Sequence, residues 1–575
     1  AVAPTAIETI TDTITISSSK VNLKNGKNVI CVLVYNCSLS SSDLFFDISL
    51  TVQQPMPKGP EVNFSHPGGY YNSNFTLTLS SPNAGDTIKY TLDYSDPATS
   101  STALSGKSPL NLLINPDNTA NRPLTPAVVV RSCVVKSGYK TRNSETRTYI
   151  FTEKIKTQTF PGSGWPNSYE VNSQAIYYDV DSRVVNDARY QSIFNKVFSS
   201  IPTVCIVTDN KNLFDASSGI YVNALNHGDA WERPATLELI EKNNKEAFAV
   251  NVGLRIRGGY SRNSWNPKHA FRIFFKDSYG KKRLNYPIFG PDAAQDFKKF
   301  DFRCAQNYSW SFYNNTYMTY AQDETCRAIQ GLMGHPYSRS RYCHLFLNGM
   351  YWGLYEFQER PEANFAESYK GGSDEDYDVI KVAPDNGYNI EATDGTLGKW
   401  QQLYSLTNRG FDSDDNYFFI QGLNSNGNID TSYEKLVDID NLIDYMINIF
   451  YSGNFDSPVT EFGDNVNPNN FYAIKNRNSK REGFFFIVHD AEHTFNYVAG
   501  SEEGKNQGVY ENRVDLINDG MSQPTSLYRF HPQWLHYKLT KNTNYRLRFA
   551  DHAVKYLYNN GLLTPTNVAN VFRSF

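Results

Sequence analysis

The sequence is poor in several things at once. Charged residues make up 20% of the 575 positions, below the roughly 25% usual for soluble domains. Lys+Arg 55 against Asp+Glu 59 leaves a formal net charge of −4, so there is no basic domain of the kind nucleic-acid binders carry. Six Met and seven Cys are few for this length. No CxxC pair and no zinc-finger spacing occurs, and an odd number of cysteines cannot all pair internally. Cys31 and Cys37 are placed to pair across a hairpin, whereas Cys133, Cys205, Cys304, Cys326 and Cys343 sit singly among apolar residues and read as small core side chains. No run approaches 18 apolar residues, which excludes a bilayer-spanning helix. The opening AVAPTAIETI lacks an initiator Met, a basic n-region and an apolar h-region, and reads as a mature or trimmed chain.

What is abundant is aromatic: 39 Tyr and 36 Phe bring the aromatic share to 14%. With Thr, Ser and Asn this points to β-rich, ligand-facing surfaces and away from coiled coils or disorder. At roughly 100–200 residues per domain the length predicts three or four domains. The composition as a whole suggests an extracellular, multidomain protein.

Residues 1–54 alternate β-branched and polar residues around an Asn25-Gly26 turn signal. The string NGKNVICVLVYN…SSSDLFFDISL resembles the last strands of a galactose-binding-like jelly roll. QQPMPKGP then ends the sheet in a linker. Residues 55–153 read as short strands with Gly, Pro and Asn punctuation, the pattern of a β-sandwich. Ile88-Tyr90-Thr91, the Asp96-Pro97 turn and Val134 to Tyr139 resemble the small immunoglobulin-like domain appended to chitobiases, which implies a spacer or a weak ligand module, the spacer being preferred.

Residues 154–575 mix strands (IPTVCIVTD, FAVNVGLRIRG, HAFRIFFK, RYCHLFLNG, FFFIVHD) with helical windows at NNTYMTYAQDETCRAIQGLM, IDNLIDYMINIFYSGN and TNYRLRFADHAVKYLYNNGLL. No regular strand–helix alternation with Gly-rich crossovers appears, so this reads as one large α+β domain.

Three strings could carry chemistry. In FFFIVHDAEHTF an apolar strand, Phe484 to Val488, ends in His489, Asp490, Glu492 and His493. Acids at a strand end supply the hard oxygen ligands a divalent cation needs. The bland alternative is a strand end capped by solvated polar groups. His489 to His493 also satisfies the H-x-x-E-H zinc motif, but that chemistry requires a helix and a downstream Glu on a second one. In YSGNFDSPVTEFGDNVNPNNFYAIKNR, Asp456 and Asp464 both qualify as an acid that accepts a hydroxyl proton, and Asn469 or Asn470 as an amide holding Mg²⁺. In GLRIRGGYSRNSWNPKHAFRIFFK, Gly258-Gly259 permits close backbone approach to a phosphate, and Lys268 stands where an ammonium could meet phosphate oxygens. Glu324, in a predicted helix, is the acid that could pair with Lys268.

These strings, together with LNYPIFG, LFLNGMYWGLYEFQERP and YDVIK, stand in the order found in the spore-coat protein H (CotH) kinase family, which this region resembles over some 350 residues. The resemblance implies an atypical protein-kinase-like α+β fold. It implies Asp490 as principal metal ligand, Glu492 as the second acid of the family's W-D-x-D string, Asp456 as catalytic acid/base and Asn470 or Asn469 as a further metal ligand. Lys268 would hold nucleotide phosphates with Glu324 as its helix partner. His489 stands where the family has Trp, and the stretch from Asp456 to Asn470 is longer than a compact kinase loop, which keeps Asp464 open as the base. The expected activity is transfer of the ATP γ-phosphoryl group to Ser/Thr of a surface or secreted protein, with Mg²⁺ or Mn²⁺. The alternative is an inactive kinase-like surface protein that binds polysaccharide or a neighbouring protein. Either implies a bacterial protein outside the cell or on its surface, with no nucleic-acid partner; whether a missing N-terminal part holds a lipid anchor or the rest of the jelly roll is left open by the sequence.

Overall fold

The computed structural model describes residues 56–309, 318–495 and 512–575. The chain divides into two compact units at Pro57/Lys58, and all the elements named below belong to the second, Lys58–Phe575. The jelly-roll segment, the Asn25-Gly26 turn and the Cys31–Cys37 pairing lie outside the described residues.

The sandwich is present. One sheet joins Asn63–Phe64, Phe75–Ser80 and Leu110–Ile114, and the other Gly69–Tyr70, Glu145–Ile150, Ala127–Val135, Thr87–Thr91 and Leu104–Lys107. In FTLTLS the alternation sends Leu77 and Leu79 into a core shared with Ile88, Val128, Val130 and Tyr149. The strand AVVVRSCVV breaks that alternation and is buried along nearly its whole length. A strand covered on both faces reads as a continuous apolar run, and here the second cover is the next domain: Ala127 and Ile150 pack with Cys205, Ile240 and Phe346. Glu238 reaches across to accept hydrogen bonds from Thr148 N at 2.9 Å and Thr148 Oγ1 at 2.6 Å. The sandwich is therefore docked along a strand, not held off as the expected spacer.

Beyond it, seven strands close into a barrel: β1 (Thr203–Val207), β2 (Arg233–Ile240), β3 (Glu246–Arg257), β4 (Ala270–Phe274), β5 (Lys299–Arg303), β6 (Ser340–Leu347) and β7 (Met350–Gln358). The order is β2-β3-β4-β5-β7-β6-β1, and β1 returns to β2. All pairs are antiparallel except β6 with β1. Period-2 alternation fills the interior with Leu254, Ile256, Phe271, Ile273, Phe300, Phe302, Tyr355 and Phe357. The intervening residues Arg257, Arg272, Asp301, Arg303, Glu356 and Gln358 consequently share the outer face.

Helix α1 (Gln322–Leu332) is tied to this outer face by Arg327, whose Nη2 reaches Oε1 of Glu356 at 2.5 Å. A second sheet, β8 (Tyr377–Ala383), β9 (Asn389–Asp394), β10 (Phe471–Asn476) and β11 (Phe485–Val488), runs antiparallel in the order β9-β8-β10-β11. Helices α2 (Ile439–Ser452) and α3 (Thr543–Leu557) pack with it around one large core. In α2, Asp438 caps the first turn by accepting from Asn441 N and Gly453 ends the helix in the left-handed region. The expected order, an all-β sandwich and then a domain of mixed helices and strands, is the one observed. Cys133, Cys205, Cys326 and Cys343 are free and buried, and Cys304 is free and half-buried. Among the described residues no helix is long and apolar enough to cross a membrane.

Candidate active site

Strand β11 is buried throughout and delivers the chain to Asp490, which takes a left-handed backbone conformation with φ 55°. That turn aims the carboxylate back toward the barrel. There it meets Arg303, at the end of β5, whose Nη2 also lies 3.0 Å from Oε2 of Glu492. The other arm of the same guanidinium reaches Oδ2 of Asp323 on α1 at 2.5 Å. Asp323 in turn accepts the backbone N–H of Ala491 at 2.8 Å and pairs with Arg327 one helical turn on. One buried arginine thus joins the barrel, the first helix and the strand-end acids.

The two acids on Nη2 of Arg303 divide their protons. Burial works against charge on Asp490, but Arg303 and then Arg257 outweigh it and hold the carboxyl well below its ordinary range. Burial and the neighbouring charge of Asp490 push Glu492 well above its own. Asp490 is the ionised member and Glu492 the one that takes a proton.

A second loop meets this one. Asp456 follows α2 closely and is 8% exposed. Its Oδ1 accepts from Asn469 Nδ2 at 2.9 Å, and its Oδ2 from Asn470 Nδ2 at 2.8 Å. The long stretch between them folds into a small hairpin, Val459–Thr460 against Asn467–Pro468. Asn469 N donates to Pro458 O at 3.0 Å and closes the loop on itself. Phe455 N donates to His493 O and Phe495 N to Ser452 O, so the backbone joins this loop to the strand-end acids. Burial raises the carboxyl of Asp456, with His493 pulling the other way and Asp490 adding to the rise. Asp464, by contrast, is exposed at the tip of the hairpin, where it closes a one-turn helix in a left-handed conformation. The structure brings Asp456, Asn469, Asn470, Asp490 and Glu492 together and leaves Asp464 outside.

The expected Lys268–Glu324 pair is not formed. Lys268 lies with its ammonium 3.9 Å above the ring of Trp352 and 3.3 Å from the carbonyl of Tyr177. Burial holds it down to about 7, and among the described residues it makes no ion pair. Glu324 is buried under α1 against Glu356, with Arg327 as its nearest cation at 3.9 Å. Burial and then Glu356 push its carboxyl well up. Adjacent helix positions point about 100° apart, so the acid that faces the site is Asp323, one residue earlier. Arg303 and Asp323 belong to this cluster, and the sequence motifs did not single them out. The visible signal was DFR on β5, charges alternating with core phenylalanines. Gly258, at φ 114°, has its place in a tight loop, since a Cβ would come within 2.1 Å of Ser261 Oγ.

The zinc reading fails on geometry. His489 to His493 form no helix. His489 stacks edge-on against Tyr472, while His493 lies between Phe455 and Phe462. Among the described residues no three His, Cys, Asp or Glu converge as metal ligands. A hard cation that keeps waters and phosphate oxygens needs fewer protein ligands. For that the donors suit: Asn469 Oδ1 is buried without a hydrogen-bond partner, and Oδ2 of Asp490 has no protein donor among the described residues.

A family model described as CotH kinase protein matches residues 254–571, just over half of the 575 residues. One described as chitobiase/beta-hexosaminidase C-terminal domain matches residues 66–145. No curated protein matches the chain. The first match begins inside β3, so the barrel it enters is completed by β1 and β2 from outside the matched range.

Proposed function

The chain belongs to the CotH kinase protein family, and on that premise we propose that its C-terminal domain adopts a protein-kinase-like arrangement and transfers the γ-phosphoryl group of ATP to a serine or threonine hydroxyl of a protein. The observation that carries this reading is the convergence of Asp456, both of its oxygens held by Asn469 and Asn470, on the strand-end carboxylate Asp490. Asp456 takes the proton of the acceptor hydroxyl as it attacks. The two asparagine amides fix its plane, and burial raises its proton affinity, which favours that transfer. Asn469 and Asn470 donate N–H to Asp456, which leaves their amide oxygens free of it, and with Asp490 these would hold Mg²⁺ or Mn²⁺. When bound, the cation supplies charge neutralisation at the phosphate oxygens. Arg303 positions Asp490 and links it to α1, the role an ion pair between sheet and helix plays in kinases.

Asp490→Ala should abolish metal-dependent transfer of labelled phosphate to the protein itself or to an added Ser/Thr-rich polypeptide. Transfer at the wild-type rate removes the assignment. The match to a chitobiase-type domain supports a place outside the cell or on its surface. A second reading, binding of a polysaccharide without transfer, is favoured by Tyr260 and Trp265, 57% and 41% exposed, whose rings meet at 5.5 Å on the loop after β3. Thermal unfolding with ATP and Mn²⁺ separates the two. At 100 times Kd a ligand adds about 2.7 kcal/mol, and no shift at millimolar nucleotide favours the second reading.

A further inference from the structure

Asp301 on β5 is 2% exposed and receives three arginines: Arg272 Nε at 2.7 Å, Arg257 Nε at 3.1 Å and Arg360 Nη1 at 3.4 Å. One carboxylate needs one cation. The three hold it far below its ordinary range even against burial, and positive charge is left over. Glu362 takes up part of it through Arg360 and Lys299. Arg272 spends two hydrogen bonds on Asp301, whereas Arg257 spends one, its other near counter-charge being Asp490. The Arg257 side chain is 10% exposed, and among the described residues only its Nε is bonded, leaving Nη1 and Nη2 without an acceptor.

A second, independent sign lies beside it. Gln358 pairs with Asp301 across the β5–β7 ladder and so shares its face. It is 1% exposed, and both its amide oxygen and its amide nitrogen are buried without partners. The buried, unpartnered amide of Gln358 costs stability unless something meets it, and the Nη atoms of Arg257 beside it are open to an incoming acceptor. The place is connected to the site above: the charge of Arg257 is felt by Asp490 and His489, and Arg257 is followed directly by Gly258-Gly259. It also opens outward, because Arg272 keeps 23% of its side chain exposed.

We propose that Arg257, with Arg272 and Arg360 behind it, holds the phosphate chain of the nucleotide, the role that the sequence suggested for Lys268. This rests on the phosphotransfer reading for the identity of the anion. The geometry supplies the rest. A guanidinium fork matches phosphate oxygens two at a time, whereas Lys268 spends its ammonium on an aromatic face. Phosphates seated at Arg257 lie between the glycine loop and Asp490, where the transferred group must be.

The test is titration calorimetry of the full chain with inorganic tripolyphosphate, with ATP and with adenosine, each in Mn²⁺. Arg257→Gln should weaken tripolyphosphate and ATP at least about tenfold, the loss of a charge-assisted hydrogen bond or more. It should leave adenosine unchanged, and Lys268→Gln should leave all three within about twofold of wild type. Wild-type affinity for tripolyphosphate in Arg257→Gln, its loss in Lys268→Gln, or no binding to the wild type overturns the proposal. Should Arg257→Gln fail to fold, Arg257→Lys decides. Without the fork it must lose affinity several-fold, and wild-type affinity overturns the proposal. Tripolyphosphate held by Arg257 in a protein that transfers nothing would sink phosphotransfer and leave this site standing, and unaltered transfer by Arg257→Gln would do the reverse.

Discussion

Asn470 donates its amide to Oδ2 of Asp456 at 2.8 Å across fourteen positions of chain. The hairpin between them makes a long loop equivalent to a short one: its strands pair, its tip carries Asp464 outward, and its base returns two asparagines to the acid.

This division of labour predicts opposite outcomes for the two aspartates. Asp456→Asn keeps the amide contacts in part but cannot accept a proton, and should lower kcat by about 10²–10⁴-fold with KM for ATP little changed. Asp464→Asn should leave both constants alone. Steady-state transfer kinetics decide it, and a large kcat loss in Asp464→Asn would move the base to the hairpin tip.

Arg303 carries the second prediction. Removing a buried partner from paired acids costs about 3–5 kcal/mol, so Arg303→Met should lower thermal stability sharply. Arg303→Lys retains the charge but cannot reach Asp323 and Asp490 together. It should fold and lose transfer by about two orders of magnitude, since catalytic groups act within narrow tolerances. Wild-type turnover in Arg303→Lys alongside inactivity in Lys268→Met would restore the lysine to the role the sequence proposed.

The pairs at stake show what a sequence can display. Strands with period-2 alternation and the helices at Ile439–Ser452 and Thr543–Leu557 were legible because each is a local pattern. The strand-end acids were legible because five apolar residues run straight into them. Closure of the barrel was not, since it depends on β6 finding β1 more than a hundred positions earlier. The Lys268–Glu324 pairing failed for the same reason: proximity in a motif order does not say which side of a strand or helix a charge takes. Asp323 stands one position before the expected Glu324 on α1, and Arg303 lies on β5, whereas Lys268 precedes β4. The docking of the sandwich was half visible in AVVV, an apolar run too continuous for a strand with one solvated side.

Glu238 makes that docking sensitive to pH. Burial pushes its carboxyl up to about 7, although Thr148 hydrogen-bonds it. The folded protein therefore binds more protons than the unfolded chain between about 4.5 and 7, and stability falls as pH rises through that window. A rise from 4.5 to about 7 corresponds to roughly 3 kcal/mol. Glu238→Gln cannot ionise and should flatten this part of the dependence. Denaturant unfolding of both proteins at pH 5 and pH 8 measures it, and equal slopes in wild type and variant would show that Glu238 does not titrate there.

His552 acts in the same sense at higher pH, elsewhere in the domain. Its Nδ1 lies 2.6 Å from Oδ1 of Asp444, buried on α2, and its Nε2 lies 3.3 Å from Oδ1 of Asp440. Arg548, one turn earlier on α3, also pairs with Asp440, so these side chains fasten α3 to α2. The hydrogen bonds to Asp440 and then Asp444 raise the imidazole to about 9. A folded value above the unfolded one means the stabilisation is complete below about 6.5 and is lost as pH climbs through 9. The site is partly open to solvent, which leaves on the order of 1–2 kcal/mol after screening. His552→Gln should lower stability by that amount at pH 6 and by almost nothing at pH 10, with Arg548 still in place at both. Chemical unfolding at the two pH values tests this. An equal deficit at both would mean that the side chain contributes by packing alone and that its charge does not hold α3 to α2.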